Sequence, residues 1–201
     1  MTAAWFDHTM RPAAEVAREG AVVRRVAGDL DIPVIEGRAM ATPRGEAAAR
    51  TARYRWLARV AAQSGVAACV TGHTRDAQAE PVLLRLVRGA GARGAAGMAP
   101  DAPWPVAAPS AAALRLLRPL LDTSRPEVEA YLAALGVAAA HDPSNESREY
   151  ARNRVRHDVL PALAEVNSEA VAHLAAFAAR ERDDDAALSV WAERWLDEHA
   201  R

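Results

Sequence analysis

Val66-Ala67-Ala68-Cys69-Val70-Thr71-Gly72-His73-Thr74-Arg75-Asp76-Ala77-Gln78-Ala79-Glu80 is the stretch on which the fold turns. Its first six residues are uninterrupted, short and apolar, the composition of a strand buried on both faces. Gly72-His73 breaks the run. Beyond it Val82, Leu83, Leu86 and Val87 recur at helical spacing. A buried strand that feeds a helix through a tight turn is half of a parallel strand-helix-strand unit.

The same alternation extends towards the N-terminus. Ala3 to Phe6 reads as a strand end, Ala13 to Leu30 as a helix, Ile32-Pro33-Val34-Ile35 as a short strand, and Gly45 to Gln63 as an Ala/Arg-rich helix. That order predicts an α/β domain with a parallel sheet and crossover helices. Towards the C-terminus, Gly89 to Pro109 is rich in Gly, Ala and Pro and predicts a long loop, either functional or disordered. Leu114 to Leu120 predicts one more strand. Ser124, with Pro126 and with Glu127 three residues on, forms a capping box for a helix that presents Val128, Tyr131, Leu132 and Leu135 and stops at Gly136. From about Arg148 onward the pattern is helical. Val171, Leu174 and Phe177, then Leu188, Trp191 and Trp195, form apolar stripes for packing, and Arg180 to Asp185 predicts a solvated face. There is no internal repeat. The expected division is an α/β domain over 1–121 and a small all-α domain over 122–201.

Composition narrows the function classes. A chain of 201 residues and 21.5 kDa has room for one domain with an appendage or two small ones. Lys plus Arg number 25 against 26 acidic residues, so the net charge is −1 and any anion site must be a local patch. Every basic residue is Arg, which rules out a Walker-type phosphate loop because that loop needs its Lys. One cysteine, Cys69, excludes a disulfide framework, a CxxC redox pair and an intrachain thiolate zinc site. No stretch approaches the apolar length of a membrane span, and the first residues lack the basic-then-apolar order of a signal peptide, so a soluble, cytoplasmic protein is expected.

Three segments carry candidate chemistry. Gly89-Ala-Gly91-Ala-Arg-Gly94 fits the GxGxxG string, but a helix precedes it and a Pro-rich loop follows, the wrong context for a dinucleotide fingerprint. The turn Gly72 to Glu80 lies at the carboxyl end of a strand, where open parallel sheets bind ligands. There His73 suits a phosphate or nucleobase. Asp76 and Glu80, four apart on one helix face, suit Mg²⁺, or else simply favour the positive end of the helix dipole. Arg148, Arg152, Arg154, Arg156 and His157 form the densest basic cluster, fit either for a nucleic-acid backbone or for an ordinary solvated face. No GxSxG, HExxH or EF-hand string occurs.

Read together, these segments resemble the tRNA(Ile)-lysidine synthetase family of the N-type ATP-pyrophosphatase (PP-loop) group. Gly72-His73-Thr-Arg-Asp76-Ala-Gln78-Ala-Glu80-Pro-Val82-Leu83-Leu84-Arg85 is similar to the family's GHHxDDQxETVLLR, and Leu86 to Met98 to its LLRGSGxRGLxGM. Arg118-Pro119-Leu120-Leu121 with Ser124-Arg125 matches RPLLxxSR, Asp142-Pro143-Ser144-Asn145 matches DPSN, and Arg152 to His157 matches RNRIRH. Asp7-His8 with Arg11-Pro12 resembles DHGLRP, and Glu46 to Tyr54 resembles EEAARxARY. The matches run in order from residue 7 to about 180.

The resemblance implies an ATP-dependent ligase. ATP adenylates the C2 carbonyl oxygen of the wobble cytidine in an isoleucine tRNA and releases pyrophosphate, and the side-chain amine of free lysine then displaces AMP. It implies Asp76 and Glu80 as catalytic carboxylates and Mg²⁺ ligands, with His8, Arg50, Arg53 and His73 about the nucleotide. It implies Arg88, Arg93, Asn145, Arg152, Asn153, Arg154, Arg156 and His157 as tRNA contacts. The implied partners are tRNA(Ile), lysine and ATP, with no membrane. Departures from the pattern are specific: Ala77 replaces the second Asp, Thr74 the second His and Pro81 the Thr. The SGGxDS phosphate loop, expected a few dozen residues before Asp7, has only six residues in which to fit. An N-terminally truncated member, its sheet missing a central strand, would bind ATP weakly or not at all and would expose edges that favour association, a homodimer included. The alternative function is a catalytically inactive homologue that serves only as a tRNA-binding module.

Overall fold

The computed structural model describes residues 1–139, 147, 148 and 150–200. Asn145 and the rest of the DPSN match lie outside the described residues. The chain divides into two compact units interleaved in sequence. Unit 1 comprises Met1–Val70, Asp101–Leu117 and Gly136–His141; unit 2 comprises Thr71–Pro100, Arg118–Leu135 and Asp142–Arg201.

Unit 1 is the α/β part. β1 (Ala3–Asp7) pairs in parallel with β2 (Val34–Arg38), Ala3 opposite Val34 and Asp7 opposite Arg38. Two crossover helices, α1 (Ala13–Asp29) and α2 (Glu46–Gln63), pack on this part of the unit. Neighbouring strand residues point to opposite faces. Trp5 lies against α1 near Gly20, while Phe6 lies against Trp56 of α2 with ring centroids 5.1 Å apart. Ala-rich α2 is built of strong helix formers, and its Tyr54, Ala58 and Ala61 fall on one buried stripe. Ala58 and Ala61 join Ala111 and Leu114 in the unit's core, with Cys69, Trp104 and Ala108 around them.

The sheet of unit 1 is split. β3 (Ala68–Val70) pairs in parallel with β5 (Arg115–Leu117), which pairs antiparallel with β4 (Asp101–Pro103), giving one sheet in the order β3-β5-β4 and a separate one, β1-β2. In a parallel ladder both backbone groups of alternate residues face the same neighbour. The Ala3 N–H donates to the Pro33 carbonyl and the Ala39 N–H to that of Asp7, so Ala4 and Phe6 face away from β2. By the same alternation, the Arg115 N–H donates to the Ala67 carbonyl, so Ala68 and Val70 face away from β5. Among the described residues no strand pairs with either edge. This corrects the expectation of a buried β3: Val70 is 63 % exposed.

Unit 2 is helical. α3 (Arg75–Val87) opens on Thr74, α5 (Arg125–Ala134) on Ser124 and its capping box, and α8 (Ala170–His199) is the longest element. Between α6 (Ala151–Arg154) and α7 (Leu160–Val166) the helical run continues through a π turn, Val155–Val159. Pro161 explains the widening, since its ring would otherwise meet the carbonyl four residues back, that of His157. Ala79, Val155 and Leu160 form the core, with Leu83, Leu84, Leu163, Val171 and Leu174 packed on it. Two expectations fail here. The Leu188–Trp191–Trp195 stripe is not packed, Trp191 being 74 % exposed, and Tyr131 of α5 and Leu135 just after it are also exposed. Gly89 to Pro109 is not one long loop: α4 (Ala92–Ala95) and β4 lie within it, and a 3-10 turn, Pro109–Ala111, begins at its last residue.

Candidate functional site

In unit 1 the functional candidates gather at the carboxyl end of β1. Asp7 closes that strand; its carboxylate accepts the Thr9 N–H at 2.7 Å and pairs with Arg38 Nε at 3.2 Å. His8, the next residue, meets Phe6 edge-on at 5.1 Å, and its buried Nδ1 has no partner among the described residues. Desolvation first, and the positive charge of Arg53 second, hold the His8 imidazole below its ordinary pKa, with Asp7 opposing. His8 is therefore neutral near pH 7 and offers one donor and one acceptor.

Arg50 and Arg53, one turn apart on α2, place their guanidiniums 4.8 and 5.6 Å from the centroid of the Tyr54 ring. Tyr54 is almost fully buried against Trp104, edge to face at 5.2 Å, and among the described residues neither its hydroxyl nor the Trp104 Nε1 has a partner. No carboxylate pairs with Arg50 or Arg53 among the described residues. Two uncompensated cations, an aromatic platform and a neutral imidazole with a vacant buried nitrogen suit an anionic ligand that carries a planar group. The sequence assigns Tyr54 no role in the site, although it closes the Glu46 to Tyr54 match.

In unit 2, His73 is linked to Thr71 through Nδ1 and Oγ1 at 2.9 Å. Asp76 and Glu80 share α3 but serve different partners. The Asp76 carboxylate accepts the Arg125 N–H at 2.7 Å, which fastens it to the first turn of α5. The adjacent Arg75 N–H donates to the Thr123 carbonyl at 2.9 Å. Glu80 has no exposed surface: one carboxylate oxygen accepts Arg152 Nε and the other Arg156 Nε, both at 2.5 Å. Two residues expected at a tRNA surface thus engage one expected at a metal. Already bracketed by two guanidiniums, Glu80 does not suit a divalent cation, and among the described residues no three His, Cys, Asp or Glu side chains converge on one point.

The remaining candidates differ in access. Asn153 is buried and donates to the Ser147 carbonyl at 2.7 Å. His157 is half-buried on the π turn, Arg154 is exposed, and Arg88 and Arg93 are exposed at the end of α3 and on α4. Gln78 bonds the Met98 backbone twice, Oε1 accepting its N–H at 2.7 Å and Nε2 donating to its carbonyl at 3.0 Å. Gly97, at φ +62°, must stay bare because a Cβ there would lie 2.6 Å from Gln78 Nε2.

Comparison with known proteins adds three findings. The family model of the PP-loop domain matches residues 1–163. The tRNA(Ile)-lysidine synthase of Salinispora tropica is 46 % identical over 194 residues, covering 95 % of this chain and 56 % of the relative. That of Streptomyces coelicolor is 38 % identical over 192 residues, covering 94 % of this chain and 52 % of the relative, so the chain spans about half the length of these curated relatives. Among solved structures, a U34-tRNA thiolase of Methanococcus maripaludis that carries a [4Fe-4S] cluster superposes with a TM-score of 0.69 at 14 % identity, over 90 % of this chain and 61 % of that one. That likeness concerns the fold alone.

Proposed function

The chain belongs to the PP-loop domain family, and from that premise we propose that it serves tRNA(Ile)-lysidine synthesis in the cytoplasm. In this reading ATP, free lysine and an isoleucine tRNA are the substrates. Adenylation of the wobble cytidine at its C2 oxygen releases pyrophosphate, and the lysine amine then expels AMP. The observation that carries the reading is the group His8, Arg50, Arg53 and Tyr54, an anion-receptive cluster at the end of a parallel strand, in a chain 46 % identical to a lysidine synthase over nearly its whole length.

Each residue takes a role that its surroundings allow. Arg50 and Arg53 meet the phosphates of ATP, and neutral His8 accepts or donates a hydrogen bond at its vacant nitrogen. His73 keeps its assignment to the nucleotide. Asp76, whose Oδ2 accepts the Arg125 N–H, is the carboxylate left for the reacting centre. Glu80 acts by holding Arg152 and Arg156, and Arg88, Arg93, Arg154 and His157 face the tRNA backbone. Of the two α3 carboxylates, Glu80 is committed to two guanidiniums, so Asp76 is the one that would serve Mg²⁺.

Radiolabelled lysine, saturating ATP and an unmodified isoleucine tRNA transcript test the proposal. ATP-dependent transfer of label to the tRNA supports the ligase. Salt-dependent tRNA binding without transfer supports the second reading, a tRNA-binding module, and the absence of both overturns both.

A further inference from the structure

The segment Gly94–Pro100 of unit 2 is held by its own carbonyl groups. Gly94 O accepts Arg85 Nη1 at 3.1 Å, Ala99 O accepts Arg118 Nη1 at 2.6 Å, and Pro100 O accepts the Arg118 N–H at 2.8 Å. Arg182, on α8, reaches back 84 and 86 residues: its Nη1 donates to Met98 O at 2.9 Å and to Ala96 O at 3.2 Å. α4 packs against α8 as well as α3, with Ala95 and Ala178 both buried. What sequence composition presents as a pliable loop is a fastened one, and Arg182, expected on a solvated face, is one of its fasteners.

Electrostatics give the fastening a purpose. An arginine paired with a carboxylate surrenders its net charge, whereas one bonded to neutral carbonyls keeps it. Among the described residues no carboxylate pairs with Arg85, Arg88, Arg93 or Arg182. Arg88 ends α3 and Arg93 rides on α4, both exposed and only a few residues from the held carbonyls. Held this way, α4 gives up less freedom when an anion binds, so less binding energy is spent on ordering it.

We propose that Arg182 is a positioning residue for RNA: by holding the Ala96 and Met98 carbonyls it fixes α4, so that Arg93, together with Arg88 at the end of α3, meets a phosphate backbone in one geometry. The inference rests on the tRNA reading above and assigns Arg182 no contact with RNA.

The test is a double-mutant cycle on the full chain, reading the Kd for an unmodified isoleucine tRNA transcript at several salt concentrations. R93A is expected to weaken binding and to lower the salt slope by about one. R182M is expected to weaken binding about tenfold in the parent chain and less than about twofold in R93A, because it acts through Arg93. R182K, which keeps a donor for the same carbonyls, is expected to recover most of the loss. If R182M does not fold, the cycle is read with R182K in its place, the residual loss again vanishing in R93A. Equal effects of R182M, or of R182K in its place, with and without R93A overturn the positioning role and leave the tRNA reading standing, as does a loss with R93A alone. Affinity unchanged in both R93A and R88A, or no salt-dependent binding by the parent chain, overturns the tRNA reading and this inference with it.

Discussion

Replacing Glu80 tests whether its carboxylate anchors a structure or serves a metal. The side chain has no exposed surface, and each oxygen accepts one arginine Nε–H at 2.5 Å. Hydrogen bonds to charged groups contribute about 1.5–3 kcal/mol each, and deleting one partner of a buried ion pair costs about 3–5 kcal/mol. Glu80→Gln keeps the volume but leaves one acceptor for two donors and turns an amide N–H₂ towards a guanidinium. Arg152 and Arg156 keep about a third and a fifth of their side-chain surface in water, which recovers part of the loss and sets the expectation near 3 kcal/mol. With a urea slope of about 2 kcal/mol per M, the midpoint of unit 2 falls by about 1.5 M, read from helical circular dichroism. Glu80→Ala also leaves a cavity and falls further. The triple replacement E80M/R152M/R156M removes charge and partners together and is expected to match or exceed the parent. A Glu80→Gln midpoint within about 0.2 M of the parent would refute the anchor. A selective loss of a Mg²⁺-dependent rate at unchanged stability would return Glu80 to the metal.

Four further expectations concern unit 1. Gly37→Ala places a Cβ 2.1 Å from Trp56 Cε2 and is expected to lower stability by about 1–3 kcal/mol, measured by urea unfolding followed through tryptophan emission. Because His8 binds its proton less well folded than unfolded, its contribution to stability is whole above the ordinary histidine pKa and is lost as pH falls from there through the lowered pKa of the folded state; the drop in Tm between about pH 7.5 and about pH 5.5 shrinks in His8→Gln, and an unchanged drop refutes it. Amide exchange by NMR is expected to be faster at Ala4, Phe6 and Val70 than at Trp5, Asp7 and Cys69, and uniform protection would mean the two edges are closed. The turn after β1, His8 to Met10, contains no glycine to let backbone cradle a triphosphate, so calorimetry is expected to give a Kd for ATP weaker than micromolar, and a micromolar isotherm refutes this.

Local signals carried most of the secondary structure. The Ser124–Glu127 capping box placed the start of α5 and Gly136, at φ +65°, its end, because a cap is written in adjacent residues. The second strand came out displaced, Ile32 to Ile35 read against Val34–Arg38 found, because the β1 register carries pairing on through Gly37 to Arg38. Burial of the 66–71 run was misjudged for a different reason: composition reports what a strand could bury, while Val70 lies beside an unpaired edge. Glu80 was legible as important from its spacing to Asp76, but its partners sit 72 and 76 residues away, beyond any periodicity. Arg182 gave no signal at all, since a guanidinium that seeks carbonyls looks in sequence like any charged residue in a run of charges.

The exposed α8 stripe also divides the chain's fluorescence. Trp191 and Trp195 stand in solvent in unit 2, whereas Trp5, Trp56 and Trp104 are half-buried in unit 1. Acrylamide therefore extinguishes the red-edge emission of the first pair before it reaches the other three indoles. The polypeptide carries an intrinsic label for each unit, and the melting of one can be followed in the presence of the other without attaching a dye.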